Sequence, residues 1–103
     1  MESAALTEAV FYILLSLDQP LHGYGIMQNA ERLSGGRVRL AAGTLYGALN
    51  TLLEKGWIEP YGSSEGRKKE YRITSLGREA AQRERNRLNE LVHVADGIMG
   101  GTE

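Results

Sequence analysis

The segment AAGTLYGALNTLLEKGWIE, which begins at Ala41, constrains the fold of this chain more than any other. Leu45, Leu49, Leu52 and Leu53 recur at i, i+4, i+7 and i+8, the spacing of one apolar stripe on an α-helix. The pattern predicts a helix from about Ala42 to Lys55, stopped by Gly56. With the stripe turned inward, a rotation of about 100° per residue turns Gly43, Gly47, Asn50, Thr51 and Glu54 outward. Thr44 and Tyr46 fall on the flanks. The outward side is small and polar, and before Lys55 the segment carries no basic residue.

Four further elements surround it. LTEAVFYILLSL, residues 6–17, is apolar nearly all round and predicts a buried helix with Thr7 as its N-cap. Pro20 breaks it. A second helix follows from about His22 to Leu33, ended by SGG, with Tyr24 expected to anchor it and Gly23 and Gly25 to allow close packing. WIEPY and KKEYRIT are short β-prone runs separated by GSSEGR, and so read as a hairpin. Tyr71 and Ile73 share one face of its second strand, Glu70 and Arg72 the other, and Pro60 marks the first strand as an edge. TSLGREAAQRERNRLNELVHVADGIM predicts a final helix capped by Thr74 or Ser75, with Glu79 and Arg83 as an i, i+4 pair. Beyond Arg87 this helix becomes apolar at Leu88, Leu91, Val92, Ala95, Ile98 and Met99. That seam packs either within its own subunit or on a partner. The nearly all-apolar first helix would leave a monomer with a large exposed patch, which favours a homodimer.

The chain is thus expected to be mainly α with a small β-hairpin (α+β), in the order helix, helix, helix, hairpin, helix. This is the order of a winged helix-turn-helix, whose third helix enters the DNA major groove while the wing reaches the flanking backbone. Residues 1–74 would form that DNA-binding domain. Residues 75–103 would form a C-terminal dimerisation helix within the same compact unit.

Composition narrows the chemistry. The 103 residues suit one small domain, and the absence of cysteine excludes disulfides and thiolate metal sites. The longest apolar run is far shorter than the roughly 20 residues of a bilayer span, and MESAALTE lacks a basic signal region. A cytoplasmic location with no membrane partner is expected. His22 and His93 are each solitary, so no metal is expected, and no nucleophile–base set or phosphate loop suggests an enzyme or a cofactor. The net charge of -1 hides an uneven distribution. Residues 37–87 hold eleven Lys/Arg against six Glu, a balance of +5, while the segments before and after them are each -3. A basic middle between acidic ends hints at a polyanion-facing surface.

LHGYGIMQ, AAGTLYGALNTLLEKGWIE and EYRITSLGRE resemble, in order and spacing, the conserved blocks of the PadR family of bacterial transcriptional regulators. The resemblance covers about residues 6–80. It implies a homodimeric winged-helix repressor, commonly released from operator DNA by a small-molecule effector. Two departures stand out. Ala41–Ala42 replace a frequent Ser-Pro, which removes a side-chain cap, and a basic residue often found near Asn50 or Thr51 is missing. The last helix also lacks the aromatic with which some members bind planar drugs at the dimer interface.

Within this frame the third helix supplies the candidate DNA-reading residues. Gly43 and Gly47 let the backbone approach the groove, and Thr44 and Tyr46 offer hydroxyls to phosphates. Asn50 can pair with adenine, and Thr51 can touch a thymine methyl. Tyr46 could equally pack against the second helix. The missing charge lies in GRKKEYR, where Arg67, Lys68, Lys69 and Arg72 are candidate phosphate contacts of the wing. Arg37 and Arg39 are weaker candidates. The expected partners are double-stranded DNA bearing a pseudo-palindromic operator, a second copy of the chain and a possible effector. The alternative is a winged-helix module that binds another protein through its uncharged third helix, without specific DNA binding.

Overall fold

The computed structural model describes residues 5–62 and 69–100. It contains four helices, α1 (Glu8–Ser16), α2 (Gly23–Leu33), α3 (Ala42–Lys55) and α4 (Ser75–Met99). Three short strands join them, β1 (Leu21–His22), β2 (Ile58–Tyr61) and β3 (Glu70–Ile73). Side-chain caps set three of the four helix starts. Thr7 accepts from the Val10 N–H, His22 Nδ1 from Gly25, and Thr74 from Gly77. The solitary His22 therefore has a structural role. α3 ends at Gly56, whose φ of 74° is the left-handed C-cap that glycine adopts without strain.

The sheet is antiparallel in the order β1-β3-β2. Its hairpin is the expected one, with Ile58 opposite Ile73 and Pro60 opposite Tyr71, and Pro60 does lie on an edge strand. The third strand is an addition to the expected hairpin: Leu21 and His22 pair with Tyr71 and Glu70. Leu17 O also accepts from the Ile73 N–H at 3.0 Å, so the end of α1 is tied to the same central strand.

One core joins these layers. Ile13, Leu14 and Leu17 of α1 and its end meet Ile26 of α2, the stripe Leu45, Leu49 and Leu52 of α3, and Ile58, Tyr71 and Ile73 of the sheet. Leu53, at the border of the stripe, is only partly buried. Burial pushes the Tyr71 phenol above its ordinary range, and the neighbouring Tyr46 adds to the shift.

Two expectations fail. Tyr24 does not anchor α2: it is 63% exposed, because it lies about 200° around the helix from the buried Ile26. The ion pair formed within α4 is Glu84–Arg87, an i, i+3 contact of 2.6 Å, while Glu79 and Arg83 both lie exposed. Glu84 is buried beside α1 and accepts from the Leu6 N–H as well as from Arg87 Nε and Nη2. The Arg87 guanidinium leads the effects that hold the Glu84 carboxyl below the usual carboxylate range, opposed by burial. A depressed native pKa contributes stability that is present above the unfolded pKa and is lost as pH falls through the native one. Thermal unfolding between about pH 5 and pH 3 should therefore fall more steeply for the native chain than for Glu84→Gln. Parallel pH profiles would show that Glu84 makes no such contribution.

Candidate nucleic-acid interface

The leucine stripe turns the opposite side of α3 to solvent. Gly43, Thr44, Tyr46, Gly47, Asn50, Thr51 and Glu54 are all exposed, as expected from the helical period. The Thr51 hydroxyl donates back to Gly47 O at 3.3 Å, a contact easily exchanged for another acceptor. Tyr46 is 47% exposed and occupies the border between α3 and its neighbours. Its hydroxyl lies 2.2 Å from where a Cβ on Gly23 would stand, so the missing side chain at Gly23 is what seats this ring against α2. Both readings of Tyr46 thus describe one residue, with its ring packed on α2 and a face left open.

Four of the helical glycines contrast in their surroundings. Gly77 is required by packing, since a Cβ would strike the Trp57 backbone carbonyl, whereas a Cβ at Gly23 would crowd only the hydroxyl end of the movable Tyr46 side chain. Gly43 and Gly47 meet nothing within 4 Å of a Cβ position. A glycine inside a helix costs about 1 kcal/mol relative to alanine. No neighbouring group explains that cost at these two positions. α3 also differs from α1, α2 and α4 at its start, where Ala41 provides no side-chain cap. Among the described residues no side chain caps its first N–H groups, and a helix start left so suits an anion.

The candidate basic side chains differ in their surroundings. Lys69 is exposed immediately before β3, whereas Arg67 and Lys68 lie outside the described residues. Arg72 projects from the outer face of the wing, but its charge is countered there. It contacts Glu59 on the paired strand at 2.7 Å and lies 4.8 Å from the centre of the Tyr61 ring. Lys55 covers the Trp57 ring at 5.2 Å. Arg37 and Arg39 pair with Glu8 and Glu31. Each of these exposed pairs is weakened by solvent screening, so a phosphate can compete for its cation.

α4 changes character along its length. Gly77, Ala80 and Glu84 are buried against the rest of the chain. From Leu88 onward every described residue is exposed, including Leu91 at 51%, Val92 at 58%, Ile98 at 80% and Met99 at 79%. Ala95 belongs to the same exposed stretch. The expected seam therefore does not pack within its own subunit. Beside it, between α1 and α4, runs a groove of about 430 Å³ lined by Leu6, Phe11, Tyr12, Leu15 and Leu88, with Glu84 and Arg87 at one side.

Two features of the region were not visible in the sequence. Strand β1 pairs with the free edge of β3 and makes the wing part of a three-stranded sheet, and Thr74 joins three elements at once. The T-x-x-G spacing of Thr74 and Gly77 was the available signal for the second. Among the described residues no three His, Asp or Glu side chains converge as metal ligands, and no helix is long and apolar enough to cross a membrane.

Comparison with known proteins matches residues 11–83 to the model of the transcriptional regulator PadR-like family. A 37.1 kDa protein in a transposon of Streptomyces fradiae is 39% identical over 85 residues, which cover 82% of this chain and 24% of that protein. The chain thus spans about a quarter of that relative's length. A protein from Lysinibacillus sphaericus known as protein X is 32% identical over 86% of this chain and 84% of its own. Among solved structures, a PadR family transcription regulator from Clostridium difficile superposes with a TM-score of 0.72 at 24% identity. The match covers 88% of this chain and 97% of that one.

Proposed function

Because the chain belongs to the PadR-like family of transcriptional regulators, a family of DNA-binding proteins rather than enzymes, we propose that it acts as a homodimeric, sequence-specific repressor in the bacterial cytoplasm. Residues 1–74 form its reading unit and 75–103 its dimerisation segment, which includes α4. The observation that carries this reading is the bare outward face of α3, with two exposed glycines that the fold itself does not need. A groove-facing helix gains from them, because without a Cβ its backbone can lie closer to the bases. Asn50 and Thr51 read base edges, Thr44 and Tyr46 hold phosphates, and the wing residues Arg67, Lys68, Lys69 and Arg72 supply electrostatic hold. Leu88, Leu91, Val92, Ala95, Ile98 and Met99 cover the α1 and α4 surfaces of the second copy. In that dimer the two α3 helices enter successive major grooves of a pseudo-palindromic operator, about 34 Å apart. The groove between α1 and α4 is the candidate seat of a small-molecule effector that relieves repression.

Gly47→Ala separates folding from reading. The variant should unfold at a higher temperature, gaining about 0.5–1 kcal/mol from helix propensity. It should nevertheless bind operator DNA more weakly, as measured by fluorescence anisotropy. Equal or tighter DNA binding would remove the argument from the bare face.

The wider reading is tested by titrating DNA from the upstream region of the protein's own gene at several salt concentrations. Specific binding that weakens steeply with salt is expected, and a Lys68→Ala/Lys69→Ala variant should flatten the log–log salt slope by about 2. A protein that ignores this DNA at low salt would instead fit the alternative, a winged-helix module whose uncharged α3 docks on another protein.

A further inference from the structure

Thr74 occupies the point where the reading helix, the wing and α4 meet. Its hydroxyl donates to Gly56 O, the C-cap carbonyl of α3, at 2.6 Å. The same oxygen accepts from the Gly77 N–H at 3.0 Å and so caps α4. Its own N–H donates to Trp57 O at 3.0 Å, beside the pairing of Ile58 with Ile73. Gly77 closes the joint from the other side: its Cα packs so tightly that a Cβ would stand 2.1 Å from the Trp57 carbonyl oxygen. The end of α3 and the start of α4 therefore share a single hydroxyl, and no side chain separates them.

This joint has leverage. The exposed half of α4 begins at Leu88, 14 residues beyond Thr74. At 1.5 Å per residue that is an arm of about 20 Å, so a tilt of about 10° at the joint moves its end by about 3.5 Å. A displacement of that size is about one base-pair step along DNA, enough to take a reading helix out of register with its half-site. Hydrophobic packing of α1 on α4 resists separation of the two helices but is not directional. The hydrogen bonds at Thr74 are directional.

We propose that Thr74 is a positioning residue. Its hydroxyl sets the angle between α3 and α4, and through that angle the separation of the two reading helices and the operator spacing the dimer accepts. The consequence for operators rests on the DNA-binding reading above; the consequence for the angle does not. The chain contains no cysteine, so two labels can be placed at will. Asn50→Cys and Asn89→Cys, spin-labelled and diluted into excess unlabelled chain, report the α3–α4 distance within one subunit, with or without a dimer. We expect one narrow distance in the parent chain, a distribution shifted or broadened by 3 Å or more in Thr74→Val, and recovery in Thr74→Ser. A Thr74→Val distribution that superimposes on the parent overturns the proposal. So does a Thr74→Ser distribution as broad as that of Thr74→Val, since the hydroxyl would then not be the cause.

The second arm uses unlabelled Thr74→Val and Thr74→Ser on operators whose half-sites are moved apart or together by one base pair. The parent and Thr74→Ser should prefer one spacing by tenfold or more, and Thr74→Val should lose most of that preference. Equal weakening on every spacing would reduce Thr74 to a residue of general stability and overturn its positioning role. A parent chain that binds no operator at all refutes the DNA-binding reading and the spacing claim, while the distance measurement still decides the joint.

Discussion

Glutamate at both Leu91 and Val92 is expected to convert the proposed dimer to monomers and to abolish operator binding in the same variant. Neither side chain is buried within the chain: Leu91 is 51% and Val92 58% exposed. Full burial of such a side chain contributes about 1.5–3 kcal/mol, and about half of that remains to be gained at an interface. Over the four side chains of a dimer this amounts to about 3–6 kcal/mol. Replacing them also places four carboxylates in an apolar seam without partners, which adds several kcal/mol against association. The fold should survive, since the buried part of α4 ends before Leu88. Sedimentation or light scattering should thus report a monomer with an unchanged far-ultraviolet spectrum, and a single reading helix should lose nearly all operator affinity. A variant that stays dimeric would show that the seam lies elsewhere.

The largest effect on folding is expected from Gly77→Ala. An alanine Cβ would lie 2.1 Å from the Trp57 carbonyl oxygen, 2.9 Å from its carbon and 2.8 Å from Ile73 Cγ1. Backbone cannot swing aside as the end of a side chain can, and this carbonyl is also held by the Thr74 N–H. Relief requires moving α4 away from the wing, with loss of the Thr74 contacts. Overpacking of this kind costs about 2–4 kcal/mol, even after the roughly 1 kcal/mol that alanine gains over glycine in a helix. For a domain of this size the melting temperature should fall on the order of 10–20 °C. A melting temperature within a few degrees of the parent would mean that the α4–wing contact is looser than the geometry indicates. Gly47→Ala provides the matched control, because the same substitution in another helix should change stability in the opposite direction.

These cases show how far local pattern reaches. The limits of α3 were readable because the leucine stripe and the Gly56 stop are both local signals. The N-cap Thr7 was legible for the same reason, and the cap of α4 was narrowed to Thr74 or Ser75. Strand β1 was not, since two residues carry no periodicity and Leu21–His22 becomes a strand only by pairing with β3. Tyr24 was misplaced because its apolar ring was counted toward the core, although the helical period puts it opposite Ile26. No local pattern in the sequence singled out Glu84. Its burial depends on the Leu6 N–H, 78 residues away in the chain, which no window of sequence contains. Of the candidate DNA contacts, exposure of the α3 set followed from the stripe, while the pairing of Arg72 with Glu59 depended on strand register.

By itself the sequence determined where the helices begin and end, which side of α3 is apolar, and the three blocks that mark the family, because each is written in neighbouring residues. Only the tertiary structure decided what surrounds Gly23, Gly43, Gly47 and Gly77 and where α4 ceases to pack on the rest of the chain. The physical reason is that a glycine has no side chain to join a pattern. Its meaning lies in what stands across from it: a carbonyl at Gly77, a tyrosine at Gly23, and open space at Gly43 and Gly47.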